Sequence, residues 1–351
     1  MADMLVTGGA GFIGSNFVRH WATVHPQDRL LVLDSLTYAG NPTNLAGVEQ
    51  AELVVGDIRD DELVTRLLVE RGIDTIVHFA AESHVDRSIE GPDTFVETNI
   101  VGTHSLLKAA RRAWIDRGTG RPHRFHQVST DEVYGALGPH DPAFREDMPY
   151  APNSPYAASK ASADMIVRAY AHTYDLQVTI SNCSNNYGPY QYPEKLIPLL
   201  LINALLGRPL PVYGDGSNVR DWLHVIDHCI GISACLTDGV AGETYNFGGN
   251  SERTNLAVAR QICGLIDRAF DESEKLARRF PGAPAANGEG TEGLVSFVTD
   301  RAGHDFRYAI DNSKAERDLS FHPAIDFEEG LSRTLNWYLE NEDWWRPLLT
   351  S

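Results

Sequence analysis

The sequence predicts a doubly wound α/β fold, a parallel sheet covered by helices on both faces, with a smaller α/β region towards the C-terminus. Three observations carry the prediction. Short apolar runs alternate with longer amphipathic stretches through the first half of the chain. The first run, Met4–Thr7, ends in the turn Gly8-Gly9-Ala10-Gly11-Phe12-Ile13-Gly14, which opens a helical stretch. The second run ends in Asp34, at the distance beyond Gly14 that a strand–helix–strand unit requires.

Taken in order, Met4–Thr7 reads as a strand and Gly11–Ala22 as a helix. Arg29–Asp34 and Glu52–Asp57 are strands, with a helix over about Asp60–Arg71. Asp74–Ala80 is a strand and a helix follows from about Pro92 to Ala113. Arg124–Thr130 is a strand, a helix follows Ser154-Pro155 and runs to about Tyr174, and Gln177–Asn182 is the next strand. Strands this continuously apolar are buried on both faces, as in a parallel sheet between helical layers. After them the pattern weakens. Tyr187–Pro193 is a Gly/Pro/Tyr-rich loop, Pro198–Leu206 is helical, and Leu210–Tyr213 and Trp222–Val225 are short strands. Asn255–Phe270 is an amphipathic helix, and Pro281–Gly293 reads as a mobile surface loop. Leu294–Thr299 is a strand, and Phe327–Glu340 closes the chain as a helix.

With 351 residues, 42% of them hydrophobic, the chain can bury a large core. No apolar run is long enough for a membrane helix, and the N-terminus carries no secretory signal. Four cysteines without a C-x-x-C pair, and histidines without ligand spacing, argue for reduced thiols in a cytoplasm and for no metal site. A net charge of -18 disfavours nucleic acid as a partner. It leaves room for a small anion, which a helix N-terminus and a few arginines can hold.

The turn contains G-x-G-x-x-G at 9, 11 and 14 and G-x-x-G-x-x-G at 8, 11 and 14. Such glycines permit a tight turn and close approach of the backbone to a pyrophosphate at a helix N-terminus. A carboxylate at Asp34 accepts hydrogen bonds from adenine-ribose hydroxyls and repels a 2′-phosphate, which favours NAD over NADP. Asp57-Ile58 and Phe79-Ala80-Ala81 close the third and fourth strands, where sheets of this kind bind ligands.

Tyr156 and Lys160 form Y-x-x-x-K at the start of a helix, which places both on one face. A nearby ammonium would lower the phenol's pKa, so that it could accept a proton near neutral pH. Asp131 and Glu132 follow Thr130 at a strand end. Close like charges push one carboxyl up, so that one can act as an acid and the other as a base, which is the division that elimination of water needs. On physics alone the pair could equally be a solvated acidic turn.

The order of glycine turn, Asp34, Ser129-Thr130, Tyr156 and Lys160 resembles the extended short-chain dehydrogenase/reductase family, whose cofactor domain is of the Rossmann type. Within that family, Ser129-Thr-Asp-Glu-Val-Tyr-Gly135 is similar to the signature of the nucleotide-sugar 4,6-dehydratases, above all those acting on dTDP-glucose. The likeness extends through Asp34-Ser-Leu-Thr-Tyr-Ala-Gly-Asn41, Ala80-Ala-Glu-Ser-His-Val-Asp-Arg-Ser88, Asn182-Cys-Ser-Asn-Asn-Tyr-Gly-Pro-Tyr190, Pro193-Glu-Lys-Leu-Ile-Pro198 and Asp300-Arg-Ala-Gly-His-Asp305. Two departures stand out. The Pro281–Gly293 segment is longer than the family connection, and Ala302 stands where proline is common.

The resemblance implies roles. Tyr156, with Thr130 and Lys160, would take the sugar C4 hydroxyl proton as hydride leaves C4 for NAD. Glu132 would take the C5 proton, Asp131 would protonate the departing C6 hydroxyl, and hydride would return to C6. Gly8, Gly11, Phe12, Ile13, Gly14, Asp34, Ser35, Leu36, Thr37, Asp57, Ile58, Phe79, Ala80, Ala81, Ser83, Thr98, Tyr156, Lys160 and Asn186 would hold NAD. Ser83, Thr130, Asn185, Lys195, Leu196, Pro211, Tyr213, Arg220, Asn255, Asp300, Arg301 and His304 would line the sugar-nucleotide site. Arg220 is the best diphosphate candidate, although Asp221 beside it could simply pair with it. Residues 1–182, with segments about 222–250 and 311–330, would form the cofactor domain. Residues 183–351 would mainly bind the dTDP-glucose. A homodimer would pair through helices around Thr98–Ala113 and Pro155–Tyr174. The alternatives are a UDP- or CDP-hexose dehydratase, a nucleotide-sugar 4-epimerase with no need of Asp131 and Glu132, and a non-enzymatic NAD-binding regulator.

Overall fold

A strand that is apolar on both faces is stable only between two covering layers. In β1 (Asp3–Thr7), Met4, Leu5 and Val6 are all fully buried. The computed structural model describes residues 3–118, 120–301 and 303–349, so Ala302 lies outside the described residues. The further strands are β2 (Arg29–Asp34), β3 (Ala51–Val55), β4 (Thr75–His78), β5 (Arg124–Thr130), β6 (Val178–Cys183), β7 (Asn185–Tyr187), β8 (Leu210–Tyr213), β9 (Val219–His224), β10 (Thr244–Phe247), β11 (Glu252–Thr254) and β12 (Val295–Val298).

Seven of them form one sheet in the order β10-β6-β5-β4-β1-β2-β3, parallel throughout. Strand order reverses at β1, which lies between β2 and β4, and a crevice opens there beyond the carboxyl ends. Helices Asp61–Glu70 and Pro155–Tyr174 cover one face together with a long helix over 93–116. Helices Phe12–Val24 and Val225–Thr237 cover the other, through Phe17, Val18 and Trp21 against Val225, Cys229 and Ile232. The second half builds a separate core from Leu200, Leu201, Ile262, Ile266, Leu331 and Trp345. It carries the small sheets β11-β9-β7 and β12-β8.

Several expectations need correction. The helix expected from Pro92 is preceded by a short one, Val85–Glu90, and runs to Asp116 with π-helical turns at Val96–Gly102 and Arg111–Asp116. The strand expected at Trp222–Val225 starts at Val219, because Arg220 and Asp221 are buried by neighbours and not by apolar character. The Tyr187–Pro193 loop begins as the end of β7. Pro281–Gly293 is not a free loop. It holds the 3-10 turns Pro284–Asn287 and Thr291–Leu294. Ala283 and Thr291 are fully buried, and Asp267 accepts hydrogen bonds from the Thr291 amide at 3.0 Å and hydroxyl at 2.5 Å.

Candidate active site

The site grows from strand ends. Gly8 follows β1 with φ +69°, and a Cβ there would lie 2.5 Å from the Ala80 nitrogen. A Cβ on Gly14 would lie 2.3 Å from the Gly8 carbonyl oxygen. Both distances are impossible for a real side chain, so glycine is required for the turn to close over β4. Helix Phe12–Val24 starts at Gly11, whose missing side chain leaves the first turn without a side-chain cap. Such amides suit an anion. The Asp34 carboxylate ends β2, accepts from the Ala10 amide at 3.0 Å and the Leu36 amide at 2.9 Å, and is pushed up by burial. A cleft of about 570 Å³ runs from this turn past Asp34, Ser35, Thr37, Asp57, Ile58 and Thr98 to Phe79, Ala80, Ala81 and Ser83. This cradle, closed to any Cβ at its base and ending on a carboxylate, fits a dinucleotide. Leu36 does not line the cleft. It takes φ +50° and packs into the core beside Val32. The Asp57 carboxylate is engaged by Arg59 at 2.7 Å, whose hydrogen bonds hold it low, so Asp57 lines the cleft with its charge already paired.

The same cleft contains Thr130, Asp131, Glu132, Tyr156 and Lys160. β5 delivers Thr130, whose hydroxyl caps a 3-10 turn at the Glu132 amide (3.3 Å) and donates to Asp131 Oδ1 at 3.3 Å. Asp131 is 2% exposed, and its Oδ2 is buried with no hydrogen-bond partner among the described residues. Burial, and then the Glu132 charge, push the Asp131 carboxyl well above the usual range. Burial raises Glu132 as well, but Arg301, Arg220 and Lys195 draw it back. The two carboxyls thus part company through their surroundings.

Ser154 caps the helix that carries Tyr156 and Lys160. Lys160 Nζ donates to the Val128 carbonyl at 2.8 Å. The expected lowering of the Tyr156 phenol is not met in the chain itself: burial, and then the Glu132 carboxylate, hold it well above 10. Helical spacing puts the two residues on one face, but the ammonium turns down onto β5.

On the far side the cleft is lined by Asn185, Asn186, Lys195, Leu196, Pro211, Tyr213, Arg220, Asn255, Arg301 and His304. The Arg220 guanidinium donates to the carbonyls of Val219 (2.7 Å) and Asp305 (3.0 Å) and lies 4.4 Å from the Tyr308 ring centroid. Asp221 does not pair with it but accepts from the amides of Gly249 (2.8 Å) and Ser251 (2.6 Å). Arg220 therefore keeps its charge for the cleft. Asp300 lies outside the cleft lining, where its carboxylate holds His304 Nδ1 at 2.6 Å. Sequence reasoning missed Tyr38, His84, Asp86, Glu194 and Tyr308, which also line the cleft. Tyr38 donates to Glu194 at 3.0 Å beneath the Arg87 guanidinium, while Asp86 meets Tyr213 and Arg301 at 3.3 Å each. All of these but Tyr308 stand inside motifs already quoted, which was the available signal.

A dinucleotide cradle and a buried pair of carboxyls in one cleft of a doubly wound sheet define a dinucleotide-binding class of protein. The chain belongs to the family described as GDP-mannose 4,6 dehydratase, whose model matches residues 5–334. It is 53% identical over 354 residues to the dTDP-glucose 4,6-dehydratase of Xanthomonas campestris pv. campestris strain B100, covering 99% of this chain and 96% of that one. DesIV, the dTDP-glucose 4,6-dehydratase of Streptomyces venezuelae solved with NAD and the ligand TYD bound, superposes with a TM-score of 0.87 at 48% identity, over 99% of both chains. The dTDP-glucose 4,6-dehydratase of Bacillus anthracis strain Ames, solved in complex with NAD, gives 0.85 at 45% identity, over 99% of this chain and 100% of that one.

Proposed function

We propose that the chain converts dTDP-glucose to dTDP-4-keto-6-deoxyglucose, a hydro-lyase reaction with NAD as resident cofactor. The observation that carries this reading is the pair Asp131 and Glu132. One is buried with an oxygen unpartnered among the described residues and the other is flanked by three cations, in the cleft that also holds Tyr156 and Lys160. An epimerase would have no use for such a pair.

Gly8, Gly11, Gly14, Asp34, Ile58, Ala80, Ala81 and Thr98 would hold NAD. When bound, it supplies reversible acceptance of hydride. The rest falls to the chain. Tyr156 acts as its phenolate, which the positive charge of a bound cofactor beside it would favour, and with Thr130 takes the C4 hydroxyl proton. The resulting ketone acidifies C5, and Glu132 takes that proton. Asp131 protonates the C6 hydroxyl, which leaves as water, and Glu132 gives its proton back to C5 once C6 is reduced. The proton gained by Tyr156 balances the one lost by Asp131. Arg220 meets the diphosphate, where a guanidinium offers paired donors.

The domain division rests on packing. Val225–Thr237 lies against Phe12–Val24, β10 extends the main sheet, and Ala315 and Leu319 pack on Tyr245 and Phe247. A homodimer is supported by Val101 and Met165, which expose apolar surface on the two helices expected to pair, and by Ile89 and Val96, which expose more of it just ahead of the first. No helix among the described residues is long and apolar enough to cross a membrane, and all four cysteines are free and buried, which fits a reducing cytoplasm.

The test is incubation of the purified protein with dTDP-glucose and no added NAD. A product lighter by one water and carrying a 4-keto group is expected. An isomer of unchanged mass would overturn the reading.

A further inference from the structure

The first turn of helix Pro155–Tyr174 supplies Tyr156 and Lys160, but the same face continues inward. Asp164 and Arg168 follow at the same spacing, so the face reads Tyr, Lys, Asp, Arg at successive turns. Asp164 is fully buried. Its Oδ2 accepts from the Ser129 hydroxyl at 2.6 Å and the Tyr150 hydroxyl at 3.3 Å, while Oδ1 is buried with no hydrogen-bond partner among the described residues. Arg168 donates to the Tyr150 hydroxyl at 3.2 Å and to Thr244 at 2.9 Å. A buried carboxylate held on one oxygen only is costly to keep. The roles proposed for the cleft leave it unused.

We infer that Asp164 is a positioning residue that keeps Lys160 charged inside the dry wall of the cleft and, through Ser129, fixes the strand end that carries Thr130, Asp131 and Glu132. The inference rests on the reading of Tyr156 and Lys160 as the oxidising pair. Among the described residues Lys160 has one hydrogen bond, to the Val128 carbonyl, and burial pulls its ammonium below 10.5. Of the groups around it, Asp164 opposes that pull most, Cys183 on β6 less, and neutral His78 on β4 lies beside it. Asp164 in turn faces Lys160 and Arg168 on its own helix, Ser129 on β5 and Tyr150 on the segment before the helix. Its carboxyl is pushed up to about 6, by burial first, with Lys160 the largest opposing influence.

The sign follows. Asp164→Asn keeps an oxygen for the Ser129 hydroxyl but removes the charge, so the Lys160 ammonium gives up its proton at lower pH. The alkaline limb of turnover should move down with it. The direct readout is the Lys160 ε-carbon resonance in lysine-labelled protein as purified, assigned by its loss in Lys160→Met. In Asp164→Asn it is expected to titrate about one pH unit lower, a tenfold change. kcat in mildly alkaline buffer should fall about tenfold with KM within about twofold. Ser129→Ala removes the hydrogen bond and leaves the charge, and should leave the Lys160 titration in place. An unmoved Lys160 titration in Asp164→Asn overturns the inference, as does an equal shift in Ser129→Ala, which would mark a purely structural tie. If Asp164→Asn does not fold, the wild type decides. Its Lys160 resonance must step where the Asp164 carboxyl ionises, and a flat line there overturns the inference. These titrations need no substrate, so failure of the dTDP-glucose assay would strike the reading of the site and leave them standing.

Discussion

Asp131 and Glu132 are sequence neighbours divided by environment. Asp131 is enclosed with an oxygen that meets no donor among the described residues, so its neutral form is favoured. Glu132 is also drawn upward by burial but faces Arg301, Arg220 and Lys195. Glu132→Gln preserves shape and removes the base. It should lower formation of 6-deoxy product by about 10²- to 10⁴-fold. Reduced-cofactor absorbance should still appear on addition of substrate, because oxidation at C4 belongs to Tyr156. A dehydration rate equal to wild type would remove Glu132 from the scheme. The identity of the pair was legible in the sequence, because two adjacent carboxyls at a strand end are costly if idle. Their division was legible only as a possibility, since the three cations come from positions 195, 220 and 301. The same limit explains Tyr156. Spacing names the face of a helix, but where a lysine ammonium points depends on the strand beneath it, here the Val128 carbonyl.

Elements bounded by strong local chemistry were readable to the residue. β2, β5 and helix Phe327–Glu340 match their expected limits, and Pro155–Tyr174 starts where Ser154 caps it. Elements made by distant partners were not. β10, with the sequence Thr-Tyr-Asn-Phe, is a central-sheet strand because β6 lies beside it, and β7 and β11 are three residues each. The segment at 281–293 looked free because Pro, Gly and Ala dominate it. Asp267, on helix Asn255–Glu272, is what orders it. The paired-helix surface belongs to this scale too. Val101 is 49% exposed on the long helix and joins Val96, Ile89 and Met165 in apolar exposure, which a second copy would cover. Val101→Glu would bury a charge there, at a cost of about 2 kcal/mol or more. Sedimentation at micromolar concentration should show a dimer for the wild type and a raised dissociation constant for the variant. A monomeric wild type would end the proposal.

At the scale of the whole molecule, the site is a local debit in the stability of the fold. Asp131, Glu132, Asp164 and Asp221 all have carboxyls raised by burial. A carboxyl raised in the folded state adds stability that is fully present below its ordinary value and is lost as pH rises through the folded value. For Asp131 the window opens at 3.8 and extends upward. Asp131→Asn is neutral at every pH and lacks this loss. The variant should therefore be more stable than wild type, by a margin near zero in acid that widens with pH, at about 1.4 kcal/mol for each unit by which the folded value is raised. It should also lose dehydration, since an amide has no proton of comparable acidity to give. Denaturant melts of both proteins at mildly acidic and mildly alkaline pH measure the margin directly. A margin that does not change with pH would mean that Asp131 titrates as an ordinary carboxylate, and the buried acid in the elimination step would have to be sought elsewhere in the cleft. A margin that grows, together with lost activity, would show that the acid's proton is held in place by a stability sacrifice that the surrounding cores are large enough to absorb.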